Sequence, residues 1–190
     1  MRERGILFTP HNYTLCDDGS KTQTRRIVKN ADYYACLTGD CPHEDRGLCA
    51  AEMPVHCPYG IAGDRLYVKE GLERTSIGNR IQYRSDRAPL YDRREWTWQR
   101  DTLSPLHMPK WAARLWLEIT EIRVERLQDI SVTDCKAEGV KIGGEEEGHD
   151  FHYMILWESI NGPGSWDANP FVWAITFKKT PPLDVRQAEV

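Results

Sequence analysis

The sequence predicts an α+β protein: a small, highly curved mixed β-barrel with a few short helices over its ends and a Cys/His-rich insertion. Three observations lead there. Segments in which apolar and polar residues alternate outnumber those with helical spacing. The helical segments are short and end at glycine. Residues 31–60 follow neither period, and they hold four of the six cysteines.

Gly5 to Thr9 is a short apolar strand. Residues 11–18 give one or two helical turns that stop at Gly19, where a left-handed residue is expected. After the 31–60 insertion, Gly63-Asp64 turns into the strand Arg65 to Glu70, in which Leu66 and Val68 alternate with polar residues. Ile81 to Arg84 is a weaker strand. Residues 85–110, rich in Arg, Asp, Pro and Trp, read as a loop or second insertion. Arg114 to Val124 is the longest alternating run, with Leu115, Leu117 and Ile119 on one face and Ile122 and Val124 resuming after a bulge. Ser131 opens a short helix as a capping-box variant with Asp134 in the acidic position, and Gly139 closes it. Residues 143–150 form an acidic loop. Residues 151–160 place Phe151, Met154, Ile155, Trp157 and Ile160 at the spacing of a packed helix. Phe171 to Lys178 is the closing strand. One domain therefore spans 1–180, with insertions at about 31–60 and 85–110 and a frayed tail over 181–190.

Composition narrows the function classes. The chain has 190 residues, 40% hydrophobic and 28% charged, which is a folded domain rather than a disordered one. The formal net charge is −4, so contact with nucleic acid needs a local basic patch rather than a global field. No apolar run approaches the roughly 20 residues of a membrane span, and the first residues lack a signal-peptide core. A cytoplasmic protein is expected, in which disulfides are disfavoured.

Gly19-Ser20-Lys21-Thr22-Gln23-Thr24-Arg25-Arg26 supplies that local patch. A glycine turn delivers one ammonium, two guanidiniums and two threonine hydroxyls, with no acidic residue between Lys21 and Lys29. Such a group suits a phosphate, a nucleotide or a nucleobase.

Cys36, Cys41, Cys49 and Cys57, with His43 and His56, fall between positions 36 and 57. Thiolates and imidazoles are the ligands zinc prefers, four to a closed tetrahedral site. The expected cofactor is a structural zinc on the four cysteines, with His43 or His56 as substitutes for one of them. Free thiols in a loop, a redox role, or a catalytic zinc beside Glu44 or Glu52 are the other readings of the same residues. Cys16 and Cys135 stand apart and are expected to be packed.

These features together resemble the ASCH domain family, whose fold is a PUA-like β-barrel. Gly19 to Arg26 is similar to the family's Gly-x-Lys-Thr-x-Thr-x-Arg element, and Gly63 to Val68 to its Gly-Asp-x-Leu-x-Val strand. Residues 115–127, Leu127 to Glu138 and Phe171 to Phe177 resemble its central strand, following helix and closing strand. The stretches Leu156 to Gly162 and Trp166 to Pro170 are similar to phage and prophage proteins carrying this domain, which would place the chain in a host cytoplasm. One branch of the family hydrolyses N(4)-acetylcytidine. Carried over by motif, its catalytic set falls on Lys21, Thr24 and Glu138, with Thr22, Arg25 and Arg26 as substrate-binding residues. The resemblance implies attack by Thr24, Lys21 as base, and Glu138 as proton donor to the departing amine. Backbone N–H groups after Gly19 would hold the oxyanion. Its implied partner is a nucleoside, or RNA or single-stranded DNA. The alternatives are a non-catalytic nucleic-acid or modified-base reader and a phage assembly adaptor.

A second candidate surface interleaves Arg80, Arg84, Arg87, Arg93, Arg94 and Arg100 with Tyr83, Tyr91, Trp96 and Trp98, a mixture suited to single-stranded nucleic acid. A charged loop with its aromatics folded inward fits the same residues. Trp111 and Trp116 are expected in the core.

Overall fold

The computed structural model describes residues 1–29, 56–76, 79–91, 94–141 and 148–182. Its larger sheet is built on β7 (Trp116–Arg126), which pairs antiparallel with β3 (Arg65–Lys69) on one side and β8 (Phe171–Thr180) on the other. Outside these, β1 (Glu3–Leu7) runs parallel to β3, and β2 (Gln23–Ile27) antiparallel to β8. The order is β1-β3-β7-β8-β2. Alternation explains the inward faces: Leu66, Val68, Leu115, Leu117, Ile119 and Ile175 are fully buried in one core with Ile6 and Trp173. The expected bulge in β7 lies between Ile119 and Glu121, where the register with β8 shifts.

The α+β class is as expected, but among the described residues the sheet does not close into a barrel. Its edges, β1 and β2, approach without a backbone ladder. Arg26 Nη2 instead donates to the Leu7 carbonyl at 2.8 Å, so a long side chain spans the seam. Curvature thus brings both ends of the sheet to one place, and the candidate site forms beside them.

A second, three-stranded sheet, ordered β5-β4-β6, consists of β4 (Leu72–Arg74), β5 (Ile81–Tyr83) and β6 (Thr102–Leu103). It packs its own core of Leu72, Ile81, Tyr83, Trp96, Leu103 and Met108. The 85–110 stretch is therefore partly structural: it buries Trp96 and Met108 and contributes a strand.

Three helices complete the fold. α1 (Pro10–Asp17) is capped by Thr9, whose hydroxyl accepts from the Asn12 amide, and Gly19 follows at φ 83°. α2 (Val132–Ala137) has the predicted cap, Ser131 accepting from Asp134 N, and Gly139 at φ 85° ends it. α3 (His149–Asn161) buries Tyr153 and Trp157. The inward face expected for this helix is corrected: Phe151, Ile155 and Ile160 are about half exposed (56%, 53% and 48%). Tyr153 and Trp157 lie four apart on the face that meets α2 and Trp166, and burial of the larger aromatics decides the rotation. Trp116 is buried as expected, whereas Trp111 is 37% exposed and stacks on Trp98. No described helix is long and apolar enough to cross a membrane.

Candidate functional site

The basic motif is fixed by backbone bonds to three elements. Lys21 N donates to Leu15 O of α1, Thr22 N to Ala137 O of α2, and Phe177 N of β8 to Thr22 O. Gly139 is needed for this approach: a Cβ there would lie 2.8 Å from Leu15 Cδ1 and 3.4 Å from Lys21 Cβ. The last turn of α2 thereby meets the start of β2.

Lys21 Nζ lies 2.5 Å from Glu138 Oε2 and donates to the Glu138 carbonyl at 2.9 Å. Glu138 is the C-cap of α2, so the ammonium also satisfies an orphan carbonyl at the negative end of the helix. The other carboxylate oxygen accepts from Arg25 Nη1 at 3.3 Å and Tyr153 OH at 3.2 Å. Burial pushes the Tyr153 hydroxyl well above its ordinary pKa, and the adjacent Glu138 charge adds to this, so it stays a donor.

Arg25 is the hub of a larger network. Its Nη2 contacts Glu125 at 2.5 Å and Asp134 at 3.0 Å, and its Nη1 donates to Gln23 at 2.7 Å. Arg123 adds a contact to Asp134 at 3.1 Å. Burial opposes the Arg25 charge, but the carboxylates of Glu138 and Glu125 outweigh it and hold the pKa above the usual value. Lys21, Thr24, Arg25 and Glu138 are all 2–3% exposed.

Lys21, Thr24, Arg25, Arg26 and Glu138 line one cavity of about 590 Å³, within the usual range for small-molecule sites. The same lining includes Tyr59, Tyr153, Trp157 and Trp173, with Tyr153 in contact with Glu138 and Arg25 and Trp173 paired across the sheet with Arg26. Two polar atoms on its lining residues are buried with no partner among the described residues, Asn12 Oδ1 and Trp157 Nε1. A flat polar ligand that meets aromatic side chains together with a lysine, a hydroxyl and a carboxylate matches the chemistry of this space.

The structure brings together Lys21, Thr24, Arg25, Arg26 and Glu138 as predicted. Thr22 does not line the cavity: its side chain is exposed, and its backbone is used in holding β2 to α2 and β8. The expected oxyanion hole after Gly19 is corrected as well. Ser20 N donates to Asp18 Oδ1 at 2.8 Å, and the Lys21 and Thr22 amides are taken by carbonyls, so these N–H groups are occupied. The charge in contact with the Lys21 amine is the Glu138 carboxylate. Sequence reasoning missed Asn12, Tyr153, Trp157 and Trp173. The apolar pattern around the three aromatics marks burial, Asn12 carries no such mark, and no local signal says that a cavity faces any of them.

For the metal proposal, Cys36, Cys41, Cys49 and His43 lie outside the described residues. Cys57 is packed against the main core, and His56 beside it is exposed and lines the cavity. Burial raises the Cys57 thiol to about 11, with the Tyr59 and Gly60 backbone amides opposing the rise. No group of three possible metal ligands occurs among the described residues. Cys16 and Cys135 are buried as expected. Of the second candidate surface, Tyr83 and Trp96 are core residues, Tyr91 is 96% exposed, and Arg94 sits 4.4 Å over the Trp111 ring.

No family model and no curated protein matches this sequence. Solved structures of similar fold include these two. One is protein EF3133 from Enterococcus faecalis V583, described by the family model DUF984, with 9% identity, 95% of this chain and 81% of that chain covered, and a TM-score of 0.44. The other is an ASCH domain from Lactobacillus crispatus JV V101, with 12% identity, 94% and 79% covered, and a TM-score of 0.38. Both likenesses concern the course of the chain alone.

Proposed function

We propose that the cavity binds a nucleobase, as a nucleoside or within RNA, and that it hydrolyses an acylated exocyclic amine such as that of N(4)-acetylcytidine. The observation that carries this reading is the convergence of Lys21, Thr24 and Glu138 on one aromatic-walled space. Stacking on an aromatic side chain contributes about 1–3 kcal/mol per base and suits any base. Specificity is left to the polar groups at the cavity walls.

The Lys21–Glu138 contact supports the chemistry. A proton passing across it leaves a neutral amine and a neutral carboxyl. The amine accepts the Thr24 hydroxyl proton as Oγ1 attacks the acetyl carbon. The carboxyl donates to the exocyclic nitrogen as the C–N bond breaks. Water then cleaves the acyl-threonine, releasing acetate and restoring the hydroxyl. The same cavity without turnover would be a modified-base reader.

Incubation with N(4)-acetylcytidine, followed by chromatography for cytidine, tests this. Turnover is expected, falling at least about a hundredfold in Thr24→Val, which keeps the shape of the side chain and removes the nucleophile. Binding without turnover leaves the reader. Indifference to nucleosides, with co-purification of virion proteins, would favour the assembly role.

A further inference from the structure

The charges around the cavity are unevenly neutralised. Its lining holds four cationic side chains, Lys21, Arg25, Arg26 and Lys29, against one carboxylate, Glu138. In a chain of net charge −4 this is a local reversal of sign. Lys21 and Arg25 are matched by Glu138, Glu125 and Asp134. Arg26 and Lys29 are not: among the described residues neither has a carboxylate partner. Arg26 is held in place by neutral groups, donating to the carbonyls of Leu7 and Arg25 and packing 5.2 Å over the Phe8 ring. Carbonyls fix a guanidinium without cancelling its charge. Exposure along the strand follows the same direction, from buried Lys21, Thr24 and Arg25 through half-buried Arg26 to exposed Lys29. Neutralised groups therefore occupy the deep end of the cavity and uncompensated cations its solvent side.

We infer that Arg26 and Lys29 form a phosphate subsite at the solvent side of the cavity, so that its ligand is a nucleotide, free or within RNA, rather than a bare nucleoside. This rests on the nucleobase reading above and extends it. An oriented guanidinium beside a flexible ammonium is the pairing that grips a phosphate, one by directed donors and the other by point charge. The base would lie inward against the aromatic walls, with its phosphate outward.

The test is equilibrium binding of cytidine and cytidine 5′-monophosphate to the unaltered protein, since neither carries an amide to be cut. The monophosphate is expected to bind about tenfold or more tightly at low salt. That advantage should shrink severalfold at 0.5 M NaCl, as a partly exposed charge contact must. Arg26→Gln and Lys29→Gln should each lower the monophosphate-to-nucleoside affinity ratio. Lys29→Gln and the salt series stand even if Arg26→Gln unfolds the β1–β2 seam. A short cytidine oligoribonucleotide binding more tightly than the monophosphate would assign the phosphate to a polymer; the reverse order would assign it to a free nucleotide. Equal affinity for cytidine and its monophosphate, or a ratio insensitive to both substitutions, overturns the subsite and leaves the base site standing. Binding of neither overturns both. Inorganic phosphate competing as strongly as the monophosphate would also overturn the inference, because the base would then add nothing.

Discussion

Lys21 and Glu138, 117 residues apart in the chain, form a buried ion pair at 2.5 Å in which the lysine also caps the carbonyl of its partner. One contact thus ties the start of β2 to the end of α2 and sets two ionisable groups at the cavity. Both ions are out of water, so each depends on the other.

Removing one partner should therefore be costly. Lys21→Met or Glu138→Gln is expected to destabilise the fold by about 3–5 kcal/mol in urea denaturation, because an unpaired or half-satisfied group stays buried. The Lys21→Met, Glu138→Leu double variant should recover a good part of that loss and show no turnover. Additive losses would mean that the pair is not coupled in solution.

Trp157 should respond differently. Its indole nitrogen is buried without a partner among the described residues, so Trp157→Phe removes no hydrogen bond from the empty protein. The melting temperature is expected to hold apart from the small loss of ring area, while nucleoside affinity falls about tenfold if the ligand accepts from this N–H. A large drop in melting temperature with unchanged affinity would contradict the placement.

Stability in acid should depend on Asp134. Burial raises its pKa, but hydrogen bonding from Gln23 and the charges of Arg25 and Arg123 outweigh this and hold it below the usual carboxylate value. A carboxyl whose folded pKa is depressed adds stability that is present above its unfolded pKa, near 4, and is lost as pH falls through the folded value. Asp134→Asn is therefore expected to lower stability at pH 7 and to flatten its decline below about pH 4. Equal acid slopes in the two proteins would show that Asp134 is not held in this network.

The thiols divide by surroundings. Burial raises Cys16 to about 12 and Cys135 to about 11, so both should resist alkylation at pH 8 in the native protein and react after unfolding. The zinc proposal for Cys36, Cys41, Cys49 and Cys57 predicts about one zinc per chain by elemental analysis of protein purified without chelator, and a lower melting temperature after its removal. A zinc content near zero would end it.

What could be read from the sequence is what local physics decides. Ser131 and Gly139 mark the ends of α2 because capping and positive φ are properties of a few adjacent residues. The β7 bulge shows as a break in alternation. The convergence of Lys21 with Glu138 came only through a family resemblance, since no local rule spans 117 residues. The open seam between β1 and β2 was not legible either, because closure depends on pairing between distant edges. The rotation of α3 was misread because two of its faces carry apolar residues, and periodicity alone does not say which one packs. Glu125 and Asp134 gave no sign that they would neutralise Arg25 and leave Arg26 uncompensated.

The most direct test of the central claim is an NMR titration of the tryptophan indole N–H resonances with N(4)-acetylcytidine, made on the Thr24→Val protein to prevent turnover. A base seated in the cavity should shift Trp157 and Trp173, which line it, and leave Trp96 and Trp98 of the second core in place. Saturable shifts confined to Trp96, Trp98 and Trp111, or none at any indole, would contradict the account.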